Sequence, residues 1–327
     1  MNNNAKKKHM GKIVTVTGWG SGDGKTTIAF NLAGYFAKLG LKVLCVDESH
    51  NWNLFHMLTL QYGIYIFKDE EVVNVQRSKA KNNEIYKTII PDVHVMHLKP
   101  FTLTLNEAKN TGFMALVSHT FDKYRQNYDV IIRDTSYIEL FGNVKEGTGY
   151  SGDATYCASV SVISDYTIIP FLSYDTYAEK RAMYAASFGT GKRMESEEIY
   201  NKDKVLLVPF GVTSVSSKNV YRDLLSMQKE LKEKNEAKTM SGKSLNLEDV
   251  INKNYVDELI EAYTDVVLHD DRKAINAERR THIPTTLNGK KSVFSEDIDK
   301  LCRRVESRLL EDWSSIIRNE YFEKYGV

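Results

Sequence analysis

Cysteine is scarce in this 327-residue chain. The three that occur, Cys45, Cys157 and Cys302, lie far apart with no CxxC pair. That spacing excludes a disulfide framework and a zinc site built on paired cysteines. Cys45 falls in the apolar run from Val43 to Val46 and reads as a buried thiol, and the pattern fits a reducing cytoplasm. Proline is sparse too, with five in all, and no internal repeat or low-complexity linker divides the chain. No apolar run approaches the roughly 20 residues of a membrane span. Residues 1–10 are polar and basic, without the apolar stretch of a signal peptide, and read as a disordered tail. Formal net charge is only +1, so bulk charge points to neither nucleic acid nor membrane, and any such binding needs a local patch.

What is present is ordinary globular composition, 42% hydrophobic and 27% charged. Residues 12–17 (KIVTVT) form a β-branched, apolar strand, followed by a glycine-rich stretch. Residues 26–39 carry Ile28, Leu32, Phe36 and Leu39 at helical spacing, with Gly40 as the stop. A second strand over 42–46 ends at Asp47. Strand, loop, helix and strand make a βαβ unit, which implies a parallel sheet with a right-handed crossover. Further strands are expected at 93–98, 130–133, 167–171 and 204–208, with helices at 108–124 and 177–187. The fold class is therefore α/β, a doubly wound, mostly parallel sheet with helices on both faces. Residues 11–327 read as one domain. It is interrupted by a glycine-rich loop at 138–158 and a charged helical insertion at about 215–275. An amphipathic C-terminal helix is expected over 295–325, with Leu301, Val305, Leu309, Trp313, Ile316 and Ile317 on one stripe. Its polar face mixes acids and arginines, which favours packing on the sheet over a membrane surface.

The segment that carries chemistry is Gly18-Trp19-Gly20-Ser21-Gly22-Asp23-Gly24-Lys25-Thr26-Thr27. Gly24-Lys25-Thr26 ends a Walker A phosphate loop, set between a buried strand and a helix. A polyphosphate needs many donors at close range. Glycines let successive backbone N–H groups turn inward, and the following helix offers its positive end. Gly20, Ser21, Gly22, Asp23, Gly24, Lys25, Thr26 and Thr27 are the expected nucleotide-binding residues. Lys25 reaches the β and γ phosphates, and the Thr26 hydroxyl serves Mg²⁺. Trp19 stands where the strict GxxxxGK pattern has its first glycine.

The loop and the motifs after it resemble the ParA/MinD family of deviant Walker ATPases, within the SIMIBI class of P-loop NTPases. In that family a KGGxGKT loop is followed by a strand ending in DxD and a later strand ending in DTPP or DSP. Here the second strand ends Val46-Asp47-Glu48-Ser49, and the later one reads Tyr128-Asp129-Val130-Ile131-Ile132-Arg133-Asp134-Thr135-Ser136. Residues 164–170 resemble the family's "aDxviiP" strand, and Ile283-Pro284 a proline before its last helices. The resemblance covers roughly residues 11–212 and 281–310. It implies ATP and Mg²⁺ as cofactors, Lys25, Asp47 and Asp134 as catalytic residues, and Thr26, Asp47 and Asp134 around the metal. Both acids also read, without it, as helix caps after a strand. Gly20 replaces the signature lysine that crosses to the partner subunit, Ser49 replaces the second acid of DxD, and Ser136 and Tyr137 replace the two prolines. The nucleotide site thus reads as better preserved than the hydrolytic apparatus.

The resemblance implies a cytoplasmic, ATP-binding switch that dimerises with nucleotide, hydrolyses weakly, and acts in DNA partition or spatial positioning. A partner protein that stimulates hydrolysis is implied as well, and membrane association is not expected. Non-specific DNA would need a basic patch. Arg272-Lys273, Arg279-Arg280, Lys290-Lys291 and Arg303-Arg304 are candidates, against a solvated mixed-charge face, since Glu278, Glu296 and Glu306 sit among them. The alternative is a non-hydrolysing scaffold that regulates a secretion, pilus, conjugation or polysaccharide system. The 19 tyrosines raise an autophosphorylating P-loop kinase, but the arginine-proline pattern of that family is absent after Asp47.

Overall fold

The structure is a computed structural model. It describes residues 10–18, 22–49, 51–59, 81–98, 119–135, 164–172, 205–212, 220–240 and 266–311. In chain order the elements are β1 (Lys12–Val16), α1 (Lys25–Lys38), β2 (Val43–Glu48), α2 (Asn53–Thr59), β3 (Ile85–Lys87), β4 (Val93–His97), α3 (Asp122–Arg125), β5 (Val130–Thr135), β6 (Tyr166–Leu172), β7 (Val205–Val212), α4 (Val220–Met240), β8 (Leu268–His269), α5 (Arg272–Thr281), α6 (Thr285–Asn288) and α7 (Val293–Glu311).

The eight strands form one sheet in the order β3-β4-β2-β5-β1-β6-β7-β8. Every pairing is parallel except β3 with β4. Central parallel strands are covered on both faces, so they read as continuous apolar runs. All of β2, β5 and β7 is buried accordingly. The expected doubly wound α/β architecture is the one observed. The strand expected at 204–208 runs on through Pro209 and Phe210 to Val212. Within the stretch expected as a helical insertion, Leu268–His269 instead pairs with β7 and closes the sheet edge. The helix expected at 177–187 and the loop at 138–158 lie outside the described residues, as does the C-terminal helix beyond 311.

One face of the sheet carries α1, α2, α6 and α7. Phe30, Leu32 and Phe36 of α1 meet Leu301, Val305 and Leu309 of α7 in one buried cluster with β-strand side chains. Each such burial stabilises by about 1.5–3 kcal/mol. The amphipathic stripe of α7 is thus spent on the core as far as Leu309. Gly34 of α1 is required for this packing, because a Cβ there would lie 2.6 Å from the Pro284 ring. On the opposite face Phe121, Tyr128 and Leu44 form a second cluster. Among the described residues, no helix is long and apolar enough to cross a membrane.

Candidate nucleotide site

β1 delivers the chain to the middle of the sheet, and α1 starts at Lys25 directly after Gly22-Asp23-Gly24. Gly24 has φ 90°, and a Cβ there would stand 2.5 Å from the Phe210 ring. Only glycine permits both the left-handed turn and that approach. Gly24 contributes no side-chain cap, and the first turn of α1 holds no acid. The first N–H groups of α1 therefore keep their positive end for an external anion. A cavity of ≈ 810 Å³ opens here, walled by Gly22, Asp23, Gly24, Lys25, Thr26 and Thr27. Trp19, Gly20 and Ser21 lie outside the described residues.

Lys25 is largely buried, with its Nζ 3.8 Å from Asp23 Oδ2. Burial pushes the Lys25 pKa down, against the attraction of Asp23 and Asp134. Thr26 Oγ1 donates to Asp134 Oδ2 at 2.7 Å. The structure thus brings together three residues singled out from the sequence, Lys25, Thr26 and Asp134. Asp134 Oδ1 is buried and has no hydrogen-bond partner among the described residues. Burial pushes the Asp134 carboxyl up, and the neighbouring Asp47 adds to it. An orphaned, buried carboxylate oxygen beside a threonine hydroxyl fits a hard cation with oxygen ligands, which would restore the missing partner.

Asp47 is placed differently. It stands opposite Asp134 in the β2–β5 register. Its Oδ1 accepts from Ser49 N and Ser49 Oγ, at 2.9 and 2.6 Å. Its Oδ2 accepts from Phe55 N at 2.9 Å. Both oxygens are engaged in fixing the turn from β2 into α2, which is a capping arrangement. Burial raises its pKa while these donors lower it. Of the two acids read as metal residues, Asp134 has the vacant oxygen and Asp47 does not.

Ser49, at the position of the second DxD acid, lines the cavity with its hydroxyl turned back onto Asp47. Glu48 points to the opposite face of the sheet, as strand alternation requires. There Arg133 Nε donates to Glu48 Oε1 at 2.6 Å, with both side chains fully buried. Arg133 Nη1 also donates to Thr15 Oγ1 at 3.4 Å, and the guanidinium lies 5.1 Å from the Phe121 ring centre. Glu48 is therefore no substitute for a cavity acid, and His50 lies outside the described residues. Asn51 and Asn53 also line the cavity, as do Arg272, Asn276 and Arg279 of α5. Sequence reasoning did not assign these five residues to the site.

Residues 11–139 match the family model described as an AAA domain. A putative replication protein A of Rhizobium rhizogenes is 27% identical over 144 residues, 38% of this chain and 34% of that protein. The chain thus spans about a third of the length of that curated relative. Among solved structures, the cell division ATPase MinD of Pyrococcus furiosus superposes with a TM-score of 0.51 at 16% identity. That match covers 91% of this chain and 99% of that one. The ATP complex of McdA from Cyanothece gives 0.53 at 13% identity, over 92% and 97% of the two chains. These likenesses establish the fold.

Proposed function

We propose that this divergent ParA/MinD-like P-loop protein binds ATP with Mg²⁺ at the Gly22–Thr27 loop and acts as a slow nucleotide switch in positioning or partition. The observation that carries the reading is the convergence of Lys25, Thr26 and Asp134 at the open N-terminus of α1. The backbone N–H groups of the loop and helix bind the phosphates, and Lys25 adds a cation to them. Thr26 Oγ1 and Asp134 would hold Mg²⁺, with Asp47 bracing β2 beside them. When bound, the metal neutralises phosphate charge and orients the polyphosphate. Gly20 and Ser21 belong to the proposed cradle by sequence.

The switch rests on differential contact: ATP favours a dimer only if its terminal phosphate is recognised in the dimer and not in the monomer. The cell division ATPase MinD of Pyrococcus furiosus and McdA of Cyanothece have similar folds, which is what supports spatial positioning or partition as the role. Lys290 and Lys291, both exposed, would be part of a DNA-facing patch if DNA is the cargo. Sedimentation tests the switch: Mg-ATP should move the chain from monomer toward dimer more than Mg-ADP does. A distribution indifferent to nucleotide removes it.

A second reading is favoured by the Ser49 geometry. No described carboxylate from the end of β2 faces the cavity, since Asp47 is engaged by its own turn and Glu48 by Arg133. Without a group to orient water, a bound nucleotide would persist, and the protein would work as a scaffold. Steady-state phosphate release separates the two. Slow but measurable release by the unaltered chain supports the switch and none supports the scaffold, while a rise in Ser49→Asp, alone or with Gly20→Lys, supports the account of Ser49 under both. Fast release by the unaltered chain contradicts the account of Ser49.

A further inference from the structure

The cavity has a second cationic wall. Arg272, Ile275, Asn276 and Arg279 of α5 all line it. Their spacing, i, i+3, i+4 and i+7, places them on one helix face. The two arginines stand two turns apart, about 10 Å along the axis. Because α5 follows β8, its N-terminal end sits beside β7, where Leu268 pairs with Phe210. Its C-terminal end is held to α2, through the hydrogen bond of 2.9 Å between His282 Nδ1 and Met57 O. His282 and Met57 both line the cavity. Arg279 is one turn before His282, so it stands at the α2 end.

The sheet order fixes what each end means. β2 and β5 lie on one side of β1, and β6, β7 and β8 on the other. Asp134 and the turn into α2 belong to the first side. A nucleoside triphosphate with its metal at Thr26 and Asp134 therefore points its terminal phosphate toward α2 and its base toward β7 and β8. Arg279 is then at the distal phosphate and Arg272 at the base end. The distal end also needs charge, because Lys25 lies 3.8 Å from Asp23, which offsets part of its own.

Arg279 is held in register with the loop. Its neighbour Glu278 is buried, and Glu278 Oε1 accepts from Asn31 Nδ2 of α1 and from Thr285 N, both at 2.7 Å. Asn31 Oδ1 in turn accepts from Thr286 N at 3.2 Å. This network ties α5 to the helix that follows the phosphate loop, so the guanidinium is carried on a rigid element rather than a loop.

We infer that Arg279 is a phosphate-positioning residue, whose guanidinium engages the distal phosphate of a nucleoside triphosphate across the cavity from Lys25. The inference rests on the nucleotide reading above. Calorimetric titration of ATP and ADP, each with Mg²⁺, into the full chain and its variants tests it. Arg279→Ala should weaken ATP about tenfold to a hundredfold, as expected for a charged hydrogen bond, and leave ADP nearly unchanged. Arg279→Lys should recover part of the loss. Arg280→Ala, an exposed neighbour whose Nε donates to Asn276 O, should leave both affinities as they are. Arg272→Ala should weaken both nucleotides alike. An unaltered ATP-to-ADP ratio in Arg279→Ala overturns the inference. An equal effect of Arg280→Ala overturns it too, because bulk charge would then suffice. If ATP binding is lost in Lys25→Ala but intact in Arg279→Ala, only the inference falls. If the unaltered chain binds neither nucleotide, the reading beneath it falls as well.

Discussion

Two pairs of charged residues, adjacent along the same two strands, are treated in opposite ways. On the α1 face, Asp47 and Asp134 stand in register, two acids side by side, with one oxygen of Asp134 lacking a partner among the described residues. On the other face, Glu48 and Arg133 form a fully buried ion pair. Moving one residue along the strand exchanges repulsion for neutralisation. The Glu48–Arg133 pair is complete within the chain and shut away from solvent. The Asp134 site is incomplete among the described residues and lies beside an open cavity, where a cation can supply the missing charge. The contrast separates structural charge from charge kept for a ligand.

Breaking the complete pair should cost most. Glu48→Leu leaves the Arg133 guanidinium buried without its acid and should destabilise by about 3–5 kcal/mol, read from urea unfolding. Glu48→Leu with Arg133→Met should recover most of that, since an apolar pair of similar volume often replaces a buried ion pair at little cost. A loss below about 1 kcal/mol for the single variant would show that the pair does not organise this face.

The incomplete pair should respond with the opposite sign. Asp134→Asn keeps an oxygen to accept from Thr26 and removes one of two buried like charges. It should raise the stability of the ligand-free chain by about 1 kcal/mol or more, while Mg²⁺ ceases to strengthen nucleotide binding. A ligand-free variant that melts well below the parent would place Asp134 among structural charges instead.

Glu278 sharpens the contrast, because it is a buried acid whose second oxygen has no partner among the described residues, yet it is held by the α1–α6 network and does not line the cavity. Burial raises its pKa, with its hydrogen bonds from Thr285 and Asn31 opposing. A carboxyl raised in the folded state costs stability once pH exceeds its unfolded value, because the folded form then resists losing the proton. Glu278→Gln should therefore match the parent near about pH 4 and exceed it by about 1 kcal/mol at neutral pH. Thermal melts across pH measure this. A difference that does not change with pH would mean Glu278 titrates as it does unfolded.

Much of the sheet was legible, because buried parallel strands spell themselves as apolar runs such as Val130-Ile131-Ile132. α1 was legible from its helical spacing, with each end displaced by one residue. The phosphate loop was legible because glycines before Lys25 between a strand and a helix have few other uses. α5 was not, because only Ile275 and Glu278 of it are buried, and a charge occupies the core position one turn after the isoleucine. Its cue was the N-cap Asp271, which accepts from Ala274 N. β8 is two residues long and falls below any periodic pattern. The two roles open to Asp47, metal residue or cap, call for the same carboxylate at the same strand end. Only the donors at Ser49 and Phe55 distinguish them.

The proposed site rests on an external polyphosphate completing the charge at the head of α1. Calorimetry of Mg-ATP with the parent chain and with Lys25→Ala is its sharpest test, alongside melting curves of both without ligand. Saturable binding is expected for the parent, with a loss of about a hundredfold or more in Lys25→Ala, and the variant should still melt cooperatively without ligand, because Lys25 belongs to the cavity wall and not to the apolar cluster under α1. Equal affinity in the two proteins would contradict it.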